Sequence, residues 1–412
     1  MQSLIIGGGR RLSGEVWISG SKNAVLPMLA ATVLFQGPCC IRSCPKLTDV
    51  DAAIEILRHL GAKAEWEGGT LWVDPRPIRQ WDIPQLLMNR MRGSVFFAGA
   101  LMSRMGKCRL TQPGGCQLGK RPVNFHVDGL RAMGAEPDGT DPEVYHGPLT
   151  GTTVELPYPS VGATENLILA GVGASGTTVI DNAAREPEIA CLCDFLRLGG
   201  CRISGDGTGR ITISGGLPDG ADMRVIPDRM EAATFACAAA SAGGDIRIIG
   251  AEPLHFEPVL SVLADAGCEI TCSDEVLRIQ ARELTAPGEI VTGPYPGFPT
   301  DAQAPIMAAL LRAKGVTTIR ETVFSHRMSH AAAFCSMGAD VHQSGDTAVI
   351  HGVERLSGCE LAGQDLRGGA AMVIAALAAQ GESKISGVKH ILRGYENLAY
   401  KLRSLGADVR QA

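Results

Sequence analysis

VGATENLILAGVGASGTTVIDNAAREPEIACLCDFLRLGGCRISG, residues 161–205, is the stretch on which the fold turns. Residues 161–176 read as an Ala- and Leu-rich helix with a Gly-containing exit, since unbranched side chains lose little rotamer freedom in a helix. TTVIDN at 177–182 is short and β-branched, the composition of a strand. EPEIACLCDFLRLGG at 186–200 returns to helical spacing, with a proline in its first turn and glycine at its end, and CRISG at 201–205 reads as a returning strand.

The same order recurs within residues 300–345, where TDAQAPIMAALLRAKG, VTTIRET, RMSHAAAFCSMGAD and VHQSG supply helix, strand, helix and strand. Helical patterns ending in Leu-Gly-Ala or a close relative return about every 70 residues. They close at Leu60-Gly61-Ala62, Met133-Gly134-Ala135, Leu198-Gly199-Gly200, Ala266-Gly267-Cys268, Met337-Gly338-Ala339 and Leu405-Gly406-Ala407. Such units need neighbours to cover their apolar faces, so they stack into a larger body. One ring, one solenoid or two groups of three would accommodate six copies, and 412 residues favour two groups. Pro227-Asp228 and the segment near Ser19-Gly20-Ser21 are the expected crossing points.

Composition narrows the class. Aromatics make up 5% of a chain that is 45% hydrophobic, so packing must rest on small and branched side chains, which suits helices lying close against sheets in an α/β or α+β fold. A formal net charge of -5 argues against a general nucleic-acid binder, which needs an extended basic face. No stretch of about 18 apolar residues runs without charge or break, and MQSLIIGGGRRLSG lacks the order of a signal peptide, so a cytoplasmic location is expected. The 13 cysteines show no paired CxxC sets; most are expected reduced and buried, with no metal-ligand cluster.

One cysteine stands apart. LTQPGGCQLGKRP places Cys116 between glycines and a Gly-Lys-Arg, in a Pro-bounded loop where nearby cations favour the thiolate and the glycines permit movement over a ligand. Lys22, Arg92, Arg121, Arg327, Arg367 and Arg393 sit at comparable turns of several copies, and guanidinium forks with a compact ammonium suit carboxylate and phosphate. Asp301 in FPTDAQAP has two readings, an N-cap for the following helix or a general base kept ionised among cations. Asp228 and Glu231 in PDRMEAA fit a capping pattern better than catalysis, and the scattered His126, His255, His326 and His330 read as surface or packing residues.

LSGEVWISGSKNAVLPMLAA, CPKLTDVD, PGGCQLGKRPV, PSVGATENL, NAAREPEI, VIPDRMEAATF, FPTDAQA, DLRGGAA and RGYENLAYKLRSLGAD together resemble the UDP-N-acetylglucosamine 1-carboxyvinyltransferases, an enolpyruvyl transferase family, essentially end to end. The resemblance implies an α/β (α+β) chain of two domains. Each would be an inside-out α/β barrel of three repeated βαβαββ-like units with helices buried in the centre. Residues 22–225 would form the domain with the Cys116 lid loop, residues 1–21 plus 226–412 the second, and a substrate cleft would lie between them.

It also implies roles. Cys116, Asp301, Lys22 and Arg393 would be catalytic, and Lys22, Asn23, Arg121, Arg327, Arg367 and Arg393 would bind phosphoenolpyruvate. Asn23, Arg92, Arg121, Pro122, Val123, Asn124, Phe125, Ser160, Val161, Gly162, Thr300, Asp301 and Val323 would line the UDP-sugar site. The implied reaction moves enolpyruvyl from phosphoenolpyruvate to the sugar 3-hydroxyl, with no cofactor, metal, nucleic acid or membrane partner, in a monomer. Asn124 stands where the family has Asp, Phe96 where Trp is frequent, Leu392 where Asp often stands and Ser325-His326 where Glu-Asn is usual. Two competing readings are a divergent, weakly active or regulatory paralogue, suggested by those substitutions, and 5-enolpyruvylshikimate-3-phosphate synthase, which shares the repeats but lacks PGGC.

Overall fold

Three helices in each half of the chain are apolar on every side, and a helix of that kind has to be enclosed. In the computed structural model, described over residues 3–111, 113–114, 123–273 and 275–412, these are α1 (Lys22–Ala31), α2 (Phe96–Met105), α3 (Val161–Gly173), α4 (Arg229–Ala242), α5 (Gln303–Leu310) and α6 (Leu366–Ala378). Met230 to Ser241 of α4 and every residue of α6 are buried. Small residues let the helices approach closely. A Cβ on Gly99 of α2 would stand 2.2 Å from the Asn166 carbonyl oxygen of α3, and Asn166 Oδ1 instead accepts the Gly99 amide at 2.8 Å.

The chain divides into two compact units, with breaks between Ser19 and Gly20 and between Ile226 and Pro227. The terminal unit holds residues up to Ser19 and from Pro227 onward; the internal unit holds the described residues between Gly20 and Ile226. Within the terminal unit α4, α5 and α6 pack on one another, and within the internal unit α1, α2 and α3 do so.

Around α4, α5 and α6 lie three four-stranded sheets that share one pattern. In the sheet Glu269–Ser273, Val276–Gln280, Asp245–Ile249, Ser13–Trp17, the last two strands are parallel, from Asp245 opposite Ser13 to Ile249 opposite Trp17, and the other pairs are antiparallel. Two of these sheets close across the chain, because Ser13–Trp17 joins strands from 245–280 and Leu4–Gly7 lies between Glu382–Ser386 and Asp408–Gln411. The internal unit repeats the pattern twice, and its third sheet, Lys107–Arg109, Val144–His146 and Glu136–Pro137, has three strands among the described residues. The expected fold class of buried helices within repeated sheet units is therefore the observed one.

The outer helices are amphipathic. Thr48–Leu60 buries Val50, Ala53, Ile54 and Leu57 at helical spacing. All six outer helices end alike: the amides of Gly61, Gly134, Gly200, Gly267, Gly338 and Gly406 bond carbonyls three residues back, and the next residue's amide reaches five back. In the third copy the left-handed residue is Gly200, at φ 98°, while Gly199 stays at φ -81°, so that repeat is shifted by one from the Leu-Gly-Ala alignment.

Candidate active site

Several of the expected ligand-binding residues lie at the N-terminal ends of buried helices, where backbone N–H groups leave partial positive charge. In the terminal unit, Asp301 lies in the single turn Thr300–Ala302 that leads into α5, and Arg367 lies in the first turn of α6. Arg327 Nη2 donates to Asp301 Oδ1 at 2.7 Å, while Arg367 Nε and Nη2 reach Oδ2 at 3.1 and 3.0 Å. The capping reading of Asp301 fails, because α5 has no side-chain cap and this carboxylate is taken by two guanidiniums.

Burial alone would raise the Asp301 carboxyl, but Arg367 and Arg327 outweigh it and hold its pKa well below the usual carboxylate range. Two guanidiniums share one carboxylate here, with side chains 3% and 5% exposed against 30% for Asp301. The accessible edge of the cluster is thus a carboxylate that an incoming anion could replace on the arginines.

Two carboxylates set the backbone around this cluster. Buried Glu321 accepts from Thr292 Oγ1 at 3.0 Å, Thr300 Oγ1 at 2.8 Å and the amides of Val323 and Phe324 at 2.8 and 3.1 Å, tying the Asp301 turn to the loop that carries Val323 and Arg327. Asp365 caps α6 by accepting from the amides of Arg367 and Gly368 at 3.0 and 2.9 Å. A Cβ at Gly368 would stand 2.6 Å from Asp365 Oδ2, so a larger residue there would displace the cap. His330 is buried beside them, and desolvation pushes its pKa down to about 4, so it is neutral near pH 7. Arg393 is half-buried in the turn before Tyr395, and Leu392 packs against the core.

In the internal unit, Ser21 caps α1 by accepting from the Ala24 amide at 3.3 Å, and Lys22, the first helical residue, pairs through Nζ with Asp49 Oδ2 at 2.8 Å. Asn23 follows in the same turn. Arg92 opens the turn Arg92–Val95 that runs into α2. Ser160 caps α3 through the Ala163 amide at 3.4 Å, and Val161 and Gly162 form its first turn. A Cβ on Gly162 would stand 3.5 Å from both Phe96 Cε1 and His126 Cε1, so Phe96 packs directly on this turn. Burial, with Arg92 nearby, pushes His126 down to about 3. Val123, Asn124 and Phe125 lead into the helix Asn124–Ala132, with no side-chain cap from Val123. Cys116, Arg121 and Pro122 lie outside the described residues.

None of the twelve described cysteines is joined in a disulfide, and burial pushes Cys39, Cys108 and Cys191 up to about 12, which leaves them inert as nucleophiles. Most of the twelve are buried, as expected, while Cys272 and Cys335 are exposed. Asp228 does cap α4, through the amides of Met230 and Glu231, but Glu231 does not complete a capping box: its carboxylate takes the Ser19 amide and Lys401 Nζ, each at 2.7 Å.

Asp49, Glu321 and Tyr395 carried no expected role, and His330 is buried, within its expected reading as a surface or packing residue. Asp49 and Tyr395 lie inside CPKLTDVD and RGYENLAYKLRSLGAD, where the matching segments were the available signal.

The family model described as EPSP synthase (3-phosphoshikimate 1-carboxyvinyltransferase) matches residues 6–402. UDP-N-acetylglucosamine 1-carboxyvinyltransferase 2 of Caldanaerobacter subterraneus subsp. tengcongensis is 44% identical over 409 residues, covering 98% of each chain. UDP-N-acetylglucosamine 1-carboxyvinyltransferase of Desulfosudis oleivorans is 43% identical over 100% of this chain and 99% of its own. Among solved structures, the enolpyruvyl transferase NikO from Streptomyces tendae is similar with a TM-score of 0.90 at 27% identity, over 100% of this chain and 99% of that one. EPSP synthase from Acinetobacter baumannii, at 20% identity and a TM-score of 0.78 over the full length of both chains, shares the fold. Among the described residues, no helix is long and apolar enough to cross a membrane.

Proposed function

This chain belongs to the UDP-N-acetylglucosamine 1-carboxyvinyltransferases within the EPSP synthase family, and from that premise we propose that it transfers the enolpyruvyl group of phosphoenolpyruvate to the 3-hydroxyl of UDP-N-acetylglucosamine, releasing phosphate. The observation that carries the reading is the Arg327–Asp301–Arg367 cluster. A carboxylate with both arginines on it is a poor base, because the guanidiniums stabilise its ionised form. When the carboxylate of phosphoenolpyruvate takes those guanidiniums, Asp301 is released beside the bound substrate and regains the basicity to draw the proton from the sugar hydroxyl.

The oxygen of that hydroxyl then bonds to carbon 2 of phosphoenolpyruvate while carbon 3 takes a proton from Cys116. The resulting ketal expels phosphate as carbon 3 loses a proton, which restores the double bond. Lys22, Arg121 and Arg393 would hold the phosphate, with Asn23 beside it, and developing charge is met by these fixed cations. Arg92, Pro122, Val123, Asn124, Phe125, Ser160, Val161, Gly162, Thr300 and Val323 would meet the nucleotide sugar. The reaction makes a peptidoglycan precursor, so a cytoplasmic enzyme serving cell-wall growth, shape and division, and open to alkylation by fosfomycin at Cys116, follows from the reading.

The test is phosphate release with both substrates, with and without fosfomycin, in the wild type and in Cys116→Ser. The wild type should turn over and be inactivated, and the variant should lose most turnover and all alkylation. Phosphate release with shikimate 3-phosphate but not with UDP-N-acetylglucosamine would overturn the proposal, as would a Cys116→Ser variant that kept both properties.

A further inference from the structure

Arg367 is held on two edges by different groups. Its Nε and Nη2 face Asp301, and its Nη1 faces the hydroxyl of Tyr395 at 3.0 Å, with both side chains buried. Tyr395 Oη in turn lies 2.8 Å from Thr234 Oγ1 in α4, and Thr234 Oγ1 lies 2.7 Å from the Met230 carbonyl oxygen.

The direction of every proton in this chain follows from chemistry. A carbonyl only accepts, so the single Thr234 hydroxyl proton goes to Met230. At the next contact Tyr395 must therefore donate to Thr234, which leaves the phenol oxygen to accept from Arg367. A guanidinium has no acceptor, so the order Arg367 to Tyr395 to Thr234 to Met230 has no reverse. Burial raises the Tyr395 pKa against the pull of Arg367, which keeps the phenol protonated and able to donate.

We propose that Tyr395 is a positioning residue for anion capture: through Thr234 it anchors the Nη1 edge of Arg367 to α4, so that the Nε–Nη2 edge stays aimed at the place Asp301 now occupies and the substrate carboxylate would take. Rotation of the guanidinium would otherwise carry that fork away whenever Asp301 let go, and a bidentate contact depends on holding it. The inference rests on the proposed reading of Arg367 as a ligand of phosphoenolpyruvate.

Two measurements on the full-length protein test it. Kinetics of Tyr395→Phe, which removes one oxygen, should show KM for phosphoenolpyruvate raised about 10-fold with KM for UDP-N-acetylglucosamine within two-fold of wild type. Thr234→Val should produce a smaller change in the same direction, and the double variant should be no worse than Tyr395→Phe alone, since the relay is already cut. Nitrogen-15 NMR of labelled arginine, with the Arg367 signals identified by their loss in Arg367→Lys, should resolve separate Nη1 and Nη2 signals in the wild type that merge in Tyr395→Phe. Unchanged kinetics with unchanged Arg367 signals would overturn the inference, as would an equal rise in both KM values with a matching loss of folded protein. A wild type without phosphate release but with resolved Arg367 signals that merge in Tyr395→Phe would overturn the proposed function and leave the positioning role standing.

Discussion

The N-terminal ends of the buried helices differ between the two units. In the terminal unit Asp228 and Asp365 cap α4 and α6 with carboxylates, and Asp301 before α5 is bound by Arg327 and Arg367. In the internal unit Ser21 and Ser160 cap α1 and α3 with hydroxyls, and an ion pair joins Lys22, the first residue of α1, to Asp49 in the first turn of Thr48–Leu60. One repeat thus solves the same problem, orphan amides at a helix start, in two ways. A carboxylate cap adds a negative charge to the site. A serine cap adds none, and Lys22 needs its counter-ion from another helix.

The largest expected effect tests whether the arginine cluster is functional. Arg367→Lys keeps the charge and loses the planar fork, and turnover should drop about 10²- to 10³-fold while the fold survives; near-normal phosphate release would reduce the cluster to a structural one. The internal pair should act on stability as well as on the placement of Lys22. Asp49→Asn takes the carboxylate from Lys22, whose side chain is 12% exposed, and should lower unfolding free energy by about 2 kcal/mol, read from urea denaturation.

Each unit also carries one buried histidine with a depressed pKa, His126 at about 3 and His330 at about 4. Below about 6.5 the unfolded chain takes up a proton that the folded chain refuses, so stability falls as pH drops from 6.5 towards those values, by about 2 kcal/mol per histidine at pH 5. His126→Asn and His330→Asn should each remove one share of the difference between urea midpoints at pH 7 and pH 5. An unaltered pH dependence in both variants would refute burial as its origin. The smallest effects come from the caps: Ser21→Ala or Ser160→Ala should cost about 1 kcal/mol, and Asp228→Ala or Asp365→Ala about 2 kcal/mol, in thermal unfolding. Equal costs would remove the distinction between the two kinds of cap.

The strand and helix order of residues 161–205 was legible because side-chain periodicity is a local property, and each element there has the expected type: Val161–Gly173, Thr177–Asp181, Pro187–Leu198 and Arg202–Ser204. The fifth copy was legible in order but not in extent, since its second helix is only Ala331–Ser336. Closure of the terminal sheets was not legible: Ser13–Trp17 pairs with Asp245–Ile249, more than two hundred residues on, and no local signal links them. In the candidate site, Asp301, Arg327 and Arg367 were named from their residue types and motif, and they do meet. Their arrangement as one carboxylate between two arginines was not readable, because it depends on three separated turns converging.

By itself the sequence determined the six-fold repeat, the Ala-rich make-up of its helices and the cationic residues at their turns, all of which are written in composition and spacing. The tertiary structure alone decided that Asp301 is gripped by arginines instead of capping a helix, that Glu231 holds Ser19 and Lys401 instead of its own helix end, and that Tyr395 carries Arg367. Those choices are made by distance, and a polar side chain's partner is whichever complementary group the packed helices bring within about 3 Å.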